Sequence, residues 1–353
     1  MSKVNQQSIL LRYGITGANT TTITSGLINA TWKVTDGEAA YILQQINTQV
    51  FSNPSLIAAN NQMLKTHLQS IESDYFLVTE LPATSGELIV QDGEAYFRLL
   101  PYVRDSNTIA VVETPRQAYE AAYQFGLFTN VFAKFDAGLL HTTIRQFHDL
   151  SLRYAQFLQA IISGNQERVR ACSQEIALTK SYLYLVEEWQ KLVLAGGAQS
   201  RVTHHDTKIS NVLFNAEHKG ICVIDLDTVM SGYFFSDVGD MMRTYLSPVN
   251  EEEPDYSKVY ARPEFFEAIA QGYLENMGKA LSKTEQQAFA KSGLWLTYMQ
   301  ALRFLTDYFN DDRYYGARYP QHNLVRANNQ LALLRDLSER ESVFQSFVLA
   351  NFR

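Results

Sequence analysis

The chain changes texture once, at Pro101, and no other feature restricts its fold as strongly. Before that proline, short runs of β-branched and aromatic residues alternate with turn residues. After it, apolar residues recur at helical spacing over most of the remaining length. A chain divided this way reads as α+β, a small sheet-rich unit leading into a larger helical one. The regular alternation of strand and helix that a doubly wound sheet requires is missing.

In the first unit, residues 23–34 read as a strand broken by Gly26, and residues 40–46 return as a second across the turn at Asp36-Gly37. Asn53-Pro54 marks a helix start, with proline in the first helical position. Residues 76–81 and 95–100 read as two further strands around the Asp92-Gly93 turn. Beyond Pro101, Thr114-Pro115 opens a helix whose stripe, including Ala118, Phe125, Phe128 and Phe132, is a packing face. Residues 150–162 and 166–195 are further helices, the second ending at Gly196-Gly197. Two short strands, 211–214 and 221–226, interrupt the helices, and from Pro263 the pattern is helical again. The expected division is an N-lobe with its connector over residues 1–103 and a C-lobe over 104–353.

The interruption carries the chemistry. His204-His205-Asp206-Thr207-Lys208-Ile209-Ser210-Asn211 leads into the strand pair, and Ile224-Asp225-Leu226-Asp227-Thr228 closes it. Phosphoryl transfer requires a carboxylate beside the acceptor hydroxyl and oxygen ligands that hold magnesium on the triphosphate. Asp206 suits the first task, Asn211 and Asp225 the second. Small, hard Mg2+ favours one or two carboxylates completed by phosphate oxygens. His-x-Asp alone is common. The spaced Asn, the strand pair and the apolar-flanked Asp together are far more specific. The competing structural reading is a turn in which Asp and Asn cap local backbone groups.

Charge excludes other classes. Thirty Lys and Arg against 37 Asp and Glu give a net charge of −7. That is the wrong sign for a polyanion binder, so no nucleic-acid partner is expected. No run of 18 apolar residues occurs, and the N-terminal run at residues 9–11 is too short for a signal-peptide core. No membrane partner is expected, and the location expected is cytoplasmic. Cys172 and Cys222 form no Cys-x-x-Cys pair, and the histidines show no zinc spacing.

The loop and strand pair resemble the aminoglycoside phosphotransferase and choline kinase superfamily. Its fold is bilobal and protein-kinase-like, with a small antiparallel-sheet N-lobe and a larger, mainly helical C-lobe. Within it, the chain is most similar to N-acetylhexosamine 1-kinases. The similarity runs through residues 25–31, 43–47, 147–149, 204–211, 223–230, 302–308 and 319–324. It implies transfer of the γ-phosphate of ATP, with Mg2+, to the anomeric hydroxyl of an N-acetylhexosamine. The resemblance casts Asp206 as base or orienting carboxylate and Lys208 as a point charge near the γ-phosphate. It makes Asn211 and Asp225 the metal ligands. On the nucleotide side it implies Gly26, Gln44 and the connector at Pro101-Tyr102, against which adenine lies. On the sugar side it implies Arg303, with Thr228 and Tyr314 nearby. One departure stands out: the second strand reads Tyr41-Ile42-Leu43-Gln44-Gln45, without the lysine that the wider superfamily sets on the α- and β-phosphates. Charge for the nucleotide must come from elsewhere, and a nucleotide other than ATP stays open.

Local alternatives also stay open. Arg303 lies four residues before Asp307, a spacing that suits a helical ion pair. Asp227 either joins the metal site or caps the next turn. His204 is expected to pack, Phe147-His148-Asp149 has no assigned chemistry, and residues 251–253 read as a solvated acidic loop. Rival functions are a phosphotransferase acting on an aminoglycoside, choline or another sugar, a metal-dependent glycosyltransferase built on Asp225-Leu226-Asp227, and a nucleotide-binding pseudokinase. A cationic acceptor calls for carboxylates and aromatic faces, and Arg303 argues against one.

Overall fold

The computed structural model describes residues 5–24 and 28–351. α1 (Gln6–Leu11) buries Ile9 and Leu10 against a five-stranded antiparallel sheet. That sheet is built from β1 (Asn19–Ile23), β2 (Ala30–Asp36) and β3 (Ala39–Ile46). α2 (Pro54–Ser70) follows, then β4 (Val90–Asp92) and β5 (Ala95–Pro101). The spatial order is β1-β2-β3-β5-β4. Alternate residues Trp32, Val34, Leu43, Phe97 and Leu99 meet Ile9 and Leu10 in one apolar cluster, as the two-residue period of a strand requires.

Two strand expectations need correction. Residues 23–34 are not one strand: β1 ends at Ile23 and β2 begins at Ala30, and the two pair with Thr22 opposite Trp32. The β-branched pattern runs through both strands, so only Gly26 marked the break. Residues 76–81 form no strand beyond a single bridge from Leu81 to Leu99. The partner of β5 across the Asp92-Gly93 turn is the shorter β4.

The connector after β5 is tied to the second unit by Asn107, which exchanges both backbone hydrogen bonds with Phe214 at 2.9 Å. α3 (Pro115–Val131) then starts at a capping box made by Thr114 and Gln117. α4 (Leu150–Ser163) is capped by Asp149, whose carboxylate accepts the Leu152 N–H at 3.0 Å. The long helix expected over 166–195 is three: α5 (Gln166–Ala171), α6 (Ser173–Ser181) and α7 (Leu183–Leu194). The backbone leaves helical geometry at Cys172 and Tyr182, and each break turns a buried side chain into the core.

Four short strands then form two antiparallel pairs. β6 (Arg201–Thr203) pairs with β9 (Met230–Gly232), enclosing β7 (Val212–Phe214) and β8 (Gly220–Val223), which pair with each other. α8 (Phe234–Tyr245), α9 (Pro263–Met277), α10 (Lys283–Gln287), α11 (Lys291–Phe309) and α12 (His322–Asn351) complete the helical unit. α3 crosses α9 with the backbones almost touching: a Cβ on Gly272 would lie 2.3 Å from the Tyr119 carbonyl oxygen, and one on Gly126 2.7 Å from that of Tyr273. The fold is thus a small antiparallel-sheet lobe on a larger helical lobe. No helix among the described residues is long and apolar enough to cross a membrane.

Candidate active site

The loop between β6 and β7 is held from behind by α8. Asp237 accepts the backbone N–H of His204 at 3.0 Å and of His205 at 2.7 Å. Asp240 accepts that of Thr207 at 2.9 Å, and the Thr207 hydroxyl donates to the Asp237 carbonyl at 2.8 Å. Burial raises the Asp237 carboxyl to about 7 even though two amides stabilise its charge. These two acids escaped the sequence reading. Their signal is a pair of carboxylates three residues apart among the apolar residues Phe234, Phe235, Val238, Met241 and Met242.

The loop histidines are structural. His204 packs against Phe125 and Phe128, and its Nε2 lies 3.0 Å from the Ile224 carbonyl oxygen. His205 takes a left-handed backbone, φ 65°, and its Nδ1 lies 3.1 Å from the Thr203 carbonyl and 3.2 Å from that of Thr228. Gly232 makes room for the ring, since a Cβ there would stand 2.4 Å from Nε2. Burial lowers the pKa of His205 to about 4. The unfolded chain binds a proton at an ordinary 6.5 or so, so between those values it holds more protons than the folded one. Stability therefore falls as pH drops from 6.5 towards 4, by up to about 3 kcal/mol from this group. In thermal melts from pH 7.5 to 4.5, His205→Asn is expected to show a visibly shallower pH slope than the unaltered chain. Equal slopes would refute the assignment.

At the front of the loop stand the four residues singled out for chemistry. Asp206 accepts from Lys208 Nζ at 2.6 Å and from Asn211 Nδ2 at 3.0 Å. Burial pushes its pKa up, but Lys208 and its hydrogen bonds more than offset that and hold it below the ordinary value. Asp206 is therefore an ionised carboxylate, able to orient a hydroxyl and take its proton. Asp225, left-handed at φ 63°, brings its carboxylate 4.0 Å from the same Lys208 Nζ. Burial and the neighbouring Asp227 raise the Asp225 pKa. The Asp225 carboxylate, only loosely held by Lys208, and the Asn211 amide oxygen are hard-oxygen donors of the kind that suits Mg2+. No three His, Cys, Asp or Glu among the described residues cluster as a metal cage, so a cation here would need phosphate oxygens to complete its shell.

Asp227, two residues on, is buried and occupied: Arg98 Nη1 lies 2.5 Å from one oxygen and Asn29 Nδ2 donates to the other at 2.8 Å. Both of its carboxylate oxygens are thus taken up between Arg98 and Asn29, and it caps no backbone amide of the next turn among the described residues. Of the nucleotide-side residues, Gly26 lies outside the described residues. The amide of Gln44 is engaged within the sheet, donating to Thr31 at 3.2 Å and accepting from Arg98 Nε at 2.9 Å. Pro101 ends β5 opposite Tyr41, and the Tyr102 ring lies under Lys33, 4.0 Å from its ammonium.

On the other side of Asp206, a recess of about 70 Å3 is lined by Phe147, His148, Met299, Gln300 and Arg303. Arg303 donates to Gln300 at 3.2 Å and to the Tyr314 hydroxyl at 3.4 Å, among the rings of Phe147, Tyr314 and Tyr315. It makes no ion pair with Asp307, whose carboxylate accepts the Tyr314 and Tyr315 amides at 2.7 and 2.9 Å. Thr228, expected at the acceptor, turns inward instead and donates to the His204 carbonyl at 2.6 Å. The acidic segment 251–253 is more than a solvated loop: Glu251 pairs with both Arg243 and Arg326.

A profile described as the phosphotransferase enzyme family matches residues 19–282, well over half of the chain. The chain belongs to that family. This phosphotransferase depends on ATP and has an alcohol as acceptor. Its fold is similar to that of a microcompartment-associated aminopropanol kinase, with TM-score 0.68 and 16% identity over 96% of this chain and 98% of that one. A spectinomycin phosphotransferase in complex with ADP and spectinomycin gives 0.60 and 14% over 97% and 99%. Choline kinase from Cryptosporidium parvum Iowa II gives 0.56 and 14% over 98% of each chain. At these identities the likeness establishes the shared fold.

The phosphotransferase thus brings Asp206, Lys208, Asn211 and Asp225 together, and Asp206 lines the same recess as Arg303. Sequence reasoning had no place for His148. It lines the recess with Nδ1 unpartnered, and burial lowers its pKa far enough to keep the ring neutral. The Phe147-His148-Asp149 landmark therefore divides its work: Phe147 faces Arg303, His148 lines the recess and Asp149 caps α4.

Proposed function

We propose that this phosphotransferase moves the γ-phosphate of ATP to the anomeric hydroxyl of an N-acetylhexosamine, giving the sugar 1-phosphate. The observation that carries the reading is Arg303, a guanidinium without a carboxylate partner among the described residues, on the same recess as Asp206. The other charges there are balanced: Asp240 by Arg243 at 2.9 Å and Asp206 by Lys208 at 2.6 Å. A guanidinium with no carboxylate of its own disfavours a cationic acceptor such as choline, aminopropanol or an aminoglycoside beside it. It suits a neutral acceptor rich in oxygen, whose acetamido or ring oxygens accept from Arg303, while Tyr314 borders the same guanidinium.

In this reading Asp206 orients the anomeric hydroxyl and accepts its proton, and Lys208 balances charge beside it. Asn211 and Asp225 would hold Mg2+, which neutralises the triphosphate charge during transfer. The adenine would lie against the connector at Pro101 and Tyr102. The test is nucleotide consumption with Mg-ATP, and again with GTP, on N-acetylglucosamine, N-acetylgalactosamine, galactose, choline and kanamycin, with phosphorus NMR of each product. An anomeric phosphate on an N-acetylhexosamine is the expected result. Turnover confined to choline or kanamycin would overturn the sugar assignment.

A further inference from the structure

Arg98 is a buried cation in the sheet lobe, 2% exposed, on the strand beside the one that lacks a lysine. The register of β3 and β5 places it directly opposite Gln44. Its guanidinium holds three partners: Gln44 through Nε at 2.9 Å, and through Nη1 both Glu80 at 3.3 Å and Asp227 at 2.5 Å. Both carboxylates are as buried as the arginine, at 1% and 3%. Asn61 of α2 donates to both oxygens of Glu80, at 3.0 and 3.2 Å. Of this group only Asp227 belongs to the helical lobe.

Asp227 is also held by Asn29, whose own Oδ1 accepts the Asn47 N–H at 3.0 Å. The single turn Leu226–Thr228 that carries Asp227 follows directly on Asp225, a left-handed residue that bears a side chain. Such a backbone is strained for a residue that carries a side chain and persists only where its surroundings fix it. Here they fix it on two sides. From the helical lobe, the Asn211 carbonyl accepts the Ile224 N–H at 2.8 Å, and the Thr228 hydroxyl donates to His204 at 2.6 Å. From the sheet lobe, Arg98 and Asn29 grip Asp227. A buried ion group of this kind adds little net stability over an apolar replacement, so its position accounts for it better than its energy does.

We propose that Arg98 is a positioning residue for the phosphotransfer: through Asp227 it fastens the turn that aims the Asp225 carboxylate to the nucleotide-side sheet. Asp227 is thereby a strut of the site. The inference rests on Asp225 as a cation ligand and is independent of which alcohol is the acceptor.

Asp227→Asn is the clean variant, because it leaves the Arg98–Glu80 pair intact and keeps an oxygen for Asn29. The measurement is Mn2+ binding to the full chain with ADP, followed by electron paramagnetic resonance, beside the Mg2+ dependence of turnover and a thermal melt. Mn2+ affinity is expected to fall about tenfold or more, the range seen when groups behind metal ligands are removed. The Mg2+ concentration for half-maximal rate should rise by the same factor, with acceptor KM within about twofold of the unaltered enzyme. Arg98→Lys should show part of the same loss, since a point charge cannot span the three partners of a guanidinium fork. Asp225→Asn separates the two layers of the argument. If it leaves Mn2+ affinity unchanged, the ligand assignment and this inference both fail. If it abolishes binding while Asp227→Asn binds Mn2+ as the unaltered chain does, the positioning role alone is overturned, even where the melt shows lost stability.

Discussion

Asp206→Asn is expected to lower turnover by about a hundred- to ten-thousand-fold, the usual cost of removing a general acid–base group. Nucleotide affinity and folding should stay near those of the unaltered chain. Asparagine retains an oxygen to accept from Asn211 Nδ2, so the loop keeps that contact. The backbone is secured independently by Asp237 and Asp240. What disappears is the ionised oxygen that faces the acceptor, along with the partner 2.6 Å from Lys208. Lys208 still has Asp225 at 4.0 Å, so its charge is not stranded. The check pairs a turnover assay with calorimetric titration of ADP and Mg2+. Full turnover in the variant would remove Asp206 from the reaction; loss of ADP binding would show that it serves the nucleotide instead.

The second large effect concerns Arg303. Arg303→Met keeps an unbranched apolar stem among Phe147, Tyr314 and Tyr315 but deletes the charge. Charged hydrogen bonds contribute about 1.5–3 kcal/mol, so acceptor KM should rise roughly tenfold to a hundredfold. KM for ATP should not move, and kcat should change less than acceptor KM if the contact is made equally in the ground and transition states. Arg303→Lys should lie between the two. A variant with unchanged acceptor KM would show that the recess does not receive the acceptor.

The sequence disclosed which side chains meet at the site better than what supports them. Asp206, Asn211 and Asp225 are legible because phosphoryl transfer requires particular atoms in a fixed chain order, and the strand pair between them is short and β-branched. The sheet lobe was legible wherever turns announced themselves, as at Gly37 and Gly93. It was misread where β-branched residues ran across a turn, between β1 and β2, and where 76–81 had strand composition but no partner. The groups behind the loop were out of reach. Asp237, Asp240 and Arg98 act through contacts across 30 or more residues, and no local spacing encodes them. The absent second-strand lysine was visible, but the arginine opposite it becomes apparent only once β3 and β5 lie in register. Arg303 stayed open on sequence alone: its spacing to Asp307 fits an ion pair, and only the fold shows Asp307 already engaged by the Tyr314 and Tyr315 amides.

The grip of α8 on the catalytic loop separates two properties that many sites entangle. The amides of His204, His205 and Thr207 are satisfied before any ligand arrives, so the loop is already set and an acceptor contributes no binding energy to ordering it. On the function proposed above, discrimination between acceptors would then fall to side chains on other elements, chiefly Met299, Gln300 and Arg303 on α11 and Phe147 and His148 ahead of α4. Of these, Phe147 and His148 also lie against the His205 ring of the loop, whereas none of the α11 side chains donates to the loop amides. An architecture with a fixed reaction face and a separate recognition face is one in which substitutions on α11 would change the acceptor while the chemistry stays as it is.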